Sequence, residues 1–244
     1  MDALMIRERY KVVRVVYTQP DYALLEAVDI AERETPLCLL NLFEGELLHR
    51  YARICSGIQA VDCPAFRGMF LEDGTLTAVF DDCRGENIDR IFYRGDEWSW
   101  EERLRYAEMV FHQALSLANL PPEVSCAAML SRNLIFELSS DRVKSRYMLL
   151  PMEDMNAREL AILTTDQVRK ILPRTIRAGK AEREFLDRLE SGVFRSIVPL
   201  YAYWREMEPV IREEREEFKK KSVIRRGFIL LGRAIRRAAS RGGR

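Results

Sequence analysis

Over the first 80 residues the hydrophobic positions fall in short extended runs; beyond residue 81 they recur every three or four residues. The first pattern predicts strands and the second helices. Residues 10–17 (YKVVRVVY) are rich in β-branched and aromatic side chains, and Thr18-Gln19-Pro20-Asp21 supplies a turn. A second extended run covers residues 22–31 and a third covers 37–43 (LCLLNLF), which makes an antiparallel meander the simplest arrangement. Residues 44–58 place Leu47, Leu48, Tyr51, Ile54 and Cys55 at helical spacing. Asp73-Gly74, between the apolar runs 66–71 and 75–80, is a hairpin signal.

The polar connector 81–86 leads to a short helix over 87–93 and then to a long one. Ser99 and Glu102 have the spacing of a capping box. Behind them Trp100, Leu104, Ala107, Val110, Phe111, Ala114, Leu115 and Ala118 form one apolar stripe. Leu120-Pro121-Pro122 ends that helix, because proline lacks the amide and clashes with the preceding turn. Residues 134–138 and 143–150 read as two short strands, and the last 90 residues as helical, above all 194–221. No repeat or low-complexity linker interrupts the chain. An α+β, two-lobed body follows, with an N-terminal lobe over 1–80, a helical lobe over 81–221 and a tail over 222–244.

Composition and charge narrow the function classes. The chain has 244 residues, 48% hydrophobic and 32% charged, which suits a globular protein with a sizeable core. The N-terminus MDALMIRERY lacks an apolar signal-peptide region, and the longest charge-free stretch, 109–122, is too short and too polar to span a bilayer. Five scattered cysteines without a Cys-x-x-Cys pair predict free thiols in a reducing cytoplasm. Two histidines exclude a multi-histidine metal centre. The net charge of +1 hides an asymmetry: residues 219–244 hold ten Lys/Arg and no acid, leaving 29 Lys/Arg against 38 Asp/Glu, or −9, in the rest.

The order of elements resembles a protein kinase: strands, one helix, two more strands, a polar hinge, a long helix, then a loop and a hairpin. TLTAVFDDCRGENIDRIF (75–92) resembles the passage from the fifth kinase strand through the hinge. LSRNLIFE (130–137) resembles the end of the catalytic loop, and the resemblance spans roughly residues 8–152. No Ala-Pro-Glu motif follows Pro151, so it implies a reduced C-lobe, as in bacterial pseudokinases such as the cytoplasmic domain of a type VII secretion membrane component.

What the resemblance implies for catalysis is a series of losses. The turn that should be a glycine-rich phosphate cover contains no glycine. Asn41 stands where the phosphate-pairing lysine belongs, and no acid between Leu47 and Val61 offers the lysine's partner. Cys126, Ala127 and Ala128 take the places of His-Arg-Asp, so the group that handles the substrate hydroxyl proton is missing. Asn133 matches the metal-binding asparagine, but capping a turn before a buried strand accounts for it better than metal binding does. Residues 143–151 carry no carboxylate to complete a metal site.

The expectation is a non-catalytic, pseudokinase-like scaffold or regulatory module that needs no cofactor and works through protein partners in the cytoplasm. One alternative is an adaptor of a bacterial membrane or secretion machine held by its basic tail. Another is an atypical kinase with relocated carboxylates, among them Asp81, Asp82, Glu153 and Asp154. In the tail, Ile224, Phe228, Leu231 and Ile235 share one helical face, while Arg225, Arg226, Arg233, Arg236 and Arg237 fall largely on the other arc. That pattern fits docking on the acidic body, an anionic membrane surface or a partner groove. Nucleic acid is disfavoured, because Phe228 alone among the arginines offers an aromatic platform.

Overall fold

The computed structural model describes residues 4–241 except 33, 35, 94, 154, 176 and 177, and for 236–241 the backbone alone. The N-terminal part is a six-stranded antiparallel sheet built from β1 (Met5–Ile6), β2 (Tyr10–Gln19), β3 (Tyr22–Asp29), β4 (Leu37–Phe43), β5 (Phe66–Glu72) and β6 (Thr75–Asp81). Its spatial order is β1-β2-β3-β4-β6-β5, so β6 pairs with β4 and β5 lies outside it. The two-residue strand β1 has no counterpart in the hydrophobic pattern, and the run from residue 22 stops at Asp29, not residue 31.

Two tight turns set the hairpins. Gln19 pairs directly with Tyr22, so the β2–β3 turn is only Pro20-Asp21. Asp73 and Gly74 both have positive φ, +47° and +79°, as a two-residue hairpin of primed type requires. Pleating then sorts β4. Cys38 and Leu40 face a small cluster with Tyr10, Leu25 and Val79, while Leu39 and Phe43 face the main core. By the same alternation Asn41 lies on the core side. Helix α1 (Gly45–Ser56) packs below β4 and β6, with the Tyr51 ring stacked 3.9 Å from that of Phe43.

After β6 the chain crosses to the helical part through β7 (Glu86–Asn87) and α2 (Ile88–Ile91). Gly85 is needed in this passage. Its φ is +147°, and a Cβ would sit 2.6 Å from the Phe136 carbonyl oxygen. Helix α3 (Trp100–Leu117) has both halves of its capping box: the Glu102 amide donates to Ser99 Oγ at 3.2 Å, and the Ser99 amide donates to Glu102 Oε2 at 2.8 Å. Tyr106 and Leu117 join its buried face, whereas Leu115 sits at the rim and Ala118 is exposed.

Pro121-Pro122 does more than end a helix. Pro122 is the first residue of α4 (Pro122–Ala128), where its fixed φ suits a helix start and its missing amide costs nothing. Strands β8 (Leu134–Glu137) and β9 (Arg142–Ser145) follow, and β7 joins them in a second sheet. β9 stops at Ser145, well short of residue 150. Helices α5 (Ala157–Ile171), α6 (Lys180–Glu190) and α7 (Ile197–Lys220) then complete the core around Trp204, whose ring centre lies 5.2 Å from Phe111 and 5.3 Å from Phe185. Helix α8 (Val223–Arg241) follows α7. Buried residues of the sheet and the helical part share one continuous apolar cluster.

Candidate functional site between the lobes

Two of the positions singled out by the kinase resemblance, Asn41 and Asn133, converge on one segment, residues 146–152, which runs between the sheet and the helices. Asn41 projects from the middle of β4 and is fully buried. Its Oδ1 accepts the Tyr22 hydroxyl at 2.9 Å and the Leu149 amide at 2.8 Å; its Nδ2 donates to the Tyr147 carbonyl at 3.0 Å. This also accounts for the early end of β9. The polar backbone groups of Tyr147 and Leu149 pair with a side chain of the opposite lobe instead of a strand partner.

Asn133 holds the same segment from the other side. Its Nδ2 donates to the Ala127 carbonyl at 2.7 Å and the Met148 carbonyl at 3.2 Å, and its main-chain carbonyl accepts the Arg146 amide at 2.7 Å. Asn133 therefore ties α4 and β8 to the inter-lobe segment. Cys126, Ala127 and Ala128 form the last residues of α4 and are all fully buried. The expected open loop is a helical turn there. Burial lifts the Cys126 thiol to about 11, so it is neutral at pH 7.

Arg146, Arg14 and Arg50 reinforce the segment and its surroundings, and the linear pattern marks none of them. Arg146, the first residue past β9, forks onto Asp82 through Nε–Oδ1 at 2.6 Å and Nη2–Oδ2 at 2.7 Å. Its Nη2 also reaches Glu26 of β3 at 3.0 Å. Arg14 makes a second fork onto Glu26, at 2.7 Å for both contacts. The bonds from Arg14 and Arg146 hold the Glu26 carboxyl below its ordinary value, against the opposing effect of burial. Arg50 of α1 donates to the Met152 carbonyl at 2.5 Å. α1 thus presents a cation to the segment. The stacked rings of Phe80 and Tyr147, 5.0 Å apart, fill the space beside β6. Desolvation pushes the Tyr22 and Tyr147 hydroxyls up, so both stay protonated as donors.

These residues do not fit a magnesium–nucleotide pair. Magnesium takes carboxylate and phosphate oxygens in octahedral geometry, and among the described residues no cluster of three or more His, Cys, Asp or Glu is placed to hold a metal. Asn133 Oδ1 is buried without a hydrogen-bond partner, and the Nδ2 of the same amide is taken up by the Ala127 and Met148 carbonyls. Nor are the other acids gathered into a site. Asp81 is paired with Arg67, Asp82 with Arg146, Glu153 is exposed, and Asp154 lies outside the described residues.

The tail residues stand apart from this site. Arg225 and Phe228 are exposed, Arg226 is half-buried, and the Arg233 guanidinium lies 5.6 Å over the Phe218 ring. The Arg236 and Arg237 side chains lie outside the described residues. No helix among the described residues is long and apolar enough to cross a membrane. The thiols of Cys38, Cys55, Cys63, Cys83 and Cys126 are all free.

No protein-family model matches the sequence, and no curated protein does either. Solved structures do match the fold. The Mycobacterium tuberculosis PknI kinase domain superposes with a TM-score of 0.53 at 12% identity, covering 85% of this chain and 99% of that one. A double-mutant form of the same domain gives a TM-score of 0.53 at 11% identity, covering 88% of this chain and 99% of that one. The sheet order, the helix below β4, the crossing after β6 and the α3–β8–β9 succession thus belong to one architecture, and this chain has a protein kinase-like fold.

Proposed function

We propose that this chain is a kinase-like interaction module that does not transfer phosphate and acts by binding protein partners. The observation that carries the reading is Asn41. At the position where phosphoryl transfer calls for a cation, a neutral amide uses both its polar atoms to fasten the N-terminal sheet to residues 147–149. Ala128 and Asn133 support it from the other lobe, the first by lacking an ionisable group and the second by bonding the same segment. Phosphoryl transfer depends on positioning and charge neutralisation, and Asn41, Ala128 and Asn133 carry no charge for either task.

Thermal-shift titration with ATP, with and without magnesium, tests the reading together with an assay for phosphate transfer to itself and to generic protein substrates. The expected result is no magnesium-dependent stabilisation and no transfer. A saturable magnesium-dependent shift that disappears in Asn133→Ala, or phosphate transfer that disappears in Asp82→Asn, would overturn it.

A further inference from the structure

Helix α8 carries an apolar stripe that nothing among the described residues covers. Ile224, Phe228, Leu231 and Ile235 recur at spacings of four, three and four, which puts them on one side of a helix. Their exposures are 75%, 71%, 58% and 61%. The helix meets the body on its opposite side. Arg226, Ile229 and Leu230 are half-buried there, and Arg233 lies over Phe218 of α7. Docking against the body therefore explains one face of α8 and leaves the stripe pointing outward.

Charge selects what meets that stripe. Residues 219–244 carry ten Lys/Arg and no acid, while residues 1–218 carry a net −9. An anionic surface repels the body and attracts only this end of the molecule. The stripe spans about 16 Å along the axis at 1.5 Å per residue, too short for a bilayer crossing and well matched to a helix lying at the headgroup boundary. Nucleic acid would use the arginines and leave four exposed aliphatic and aromatic side chains unexplained.

We infer that α8 is a membrane-surface helix, which seats Ile224, Phe228, Leu231 and Ile235 among the acyl chains of an anionic bilayer while Arg225, Lys220 and Lys221 meet the headgroups. The inference is independent of whether the cleft transfers phosphate. It gives the fold a fixed side toward the membrane, the side on which α8 packs beside α7.

The test is co-sedimentation of the full chain with phosphatidylcholine vesicles, with and without phosphatidylglycerol. Binding is expected on the anionic vesicles only, weakened by added salt. It should fall about tenfold or more in Phe228→Glu and Leu231→Glu. Both positions are exposed, so the melting temperature should not move. Charge reversal of Arg225 should weaken binding as well, and should do so less at high salt. Absence of binding to anionic vesicles, equal binding to neutral ones, or binding indifferent to Phe228→Glu would each overturn the inference. So would retention on single-stranded RNA that survives Phe228→Glu in a chain that ignores vesicles, which would assign the arginines to nucleic acid.

Discussion

The side-chain oxygen of Asn41 accepts the Leu149 amide at 2.8 Å across 108 residues of sequence. Replacing Asn41 with leucine keeps the approximate volume but orphans the Leu149 amide, the Tyr147 carbonyl and the Tyr22 hydroxyl, all buried. The expected loss is about 3 kcal/mol of unfolding free energy, because each orphaned group keeps its desolvation cost without a partner. Equilibrium urea denaturation checks it. A midpoint within error of the parent would show that these bonds do not hold the lobes together.

Placing a carboxyl where the kinase resemblance puts the loop aspartate should harm the protein without giving it activity. Ala128 is fully buried at the end of α4, so Ala128→Asp places a carboxyl where its ionised form has no partner. Its folded-state value is expected to rise, so the protonated form is the one folding favours. Stability should therefore fall as pH rises, with a larger deficit at about pH 8 than at about pH 5. Thermal melts at the two pH values, with a phosphate-transfer assay alongside, measure both effects.

Arg146 joins two acids whose side chains are 7% and 11% exposed. Arg146→Met removes the cation and leaves Asp82 without its partner, for an expected loss of about 3 kcal/mol. Arg146→Lys should recover only part of this, since an ammonium cannot fork onto Asp82 as a guanidinium does. Equal stability of the methionine and lysine variants would show that charge at this position is irrelevant.

Acid should loosen the sheet. Glu26 and Asp29 are both held below their ordinary values of 4.5 and 3.8, chiefly by hydrogen bonds from Arg14 and Arg9 respectively. A lowered carboxyl contributes stability that is complete above its ordinary value and is lost as pH falls toward the lowered one. Melting temperature should therefore be flat with respect to these two groups from about pH 7 down to about pH 5 and then drop. Glu26→Gln with Asp29→Asn should lower the plateau and flatten the drop.

Where a signal is local, the sequence displays the fold well. LCLLNLF forms a strand with the bounds its composition suggests, Asp73-Gly74 makes its hairpin, and Ser99 with Glu102 caps α3. The kinase-like order was legible from these pieces. Less visible were features decided by partners far along the chain. Nothing near Ser145 tells β9 to stop, because the competing acceptor and donor belong to Asn41. Nothing near Cys126 reveals a helix except Pro122, which reads equally well as a terminator. Arg146 looks like any strand-end arginine until Asp82 and Glu26 are brought beside it. Asn41 was conspicuous as a lone amide in an apolar strand, yet its hydrogen bonds needed the other lobe to be placed.

Those bonds also bear on how the protein is made. The N-terminal sheet closes with β6 at Asp81, but two of the three partners of Asn41, Tyr147 and Leu149, lie 106 and 108 residues beyond it. A chain emerging in order has its central strand in place long before that amide can be fully answered, and loop closure over such a span is slow. The sheet must wait, with that amide answered only by Tyr22, for the helical lobe to arrive. A fragment ending before residue 146 should therefore be loose and prone to aggregate, and the two lobes should gain their final order together in one late step.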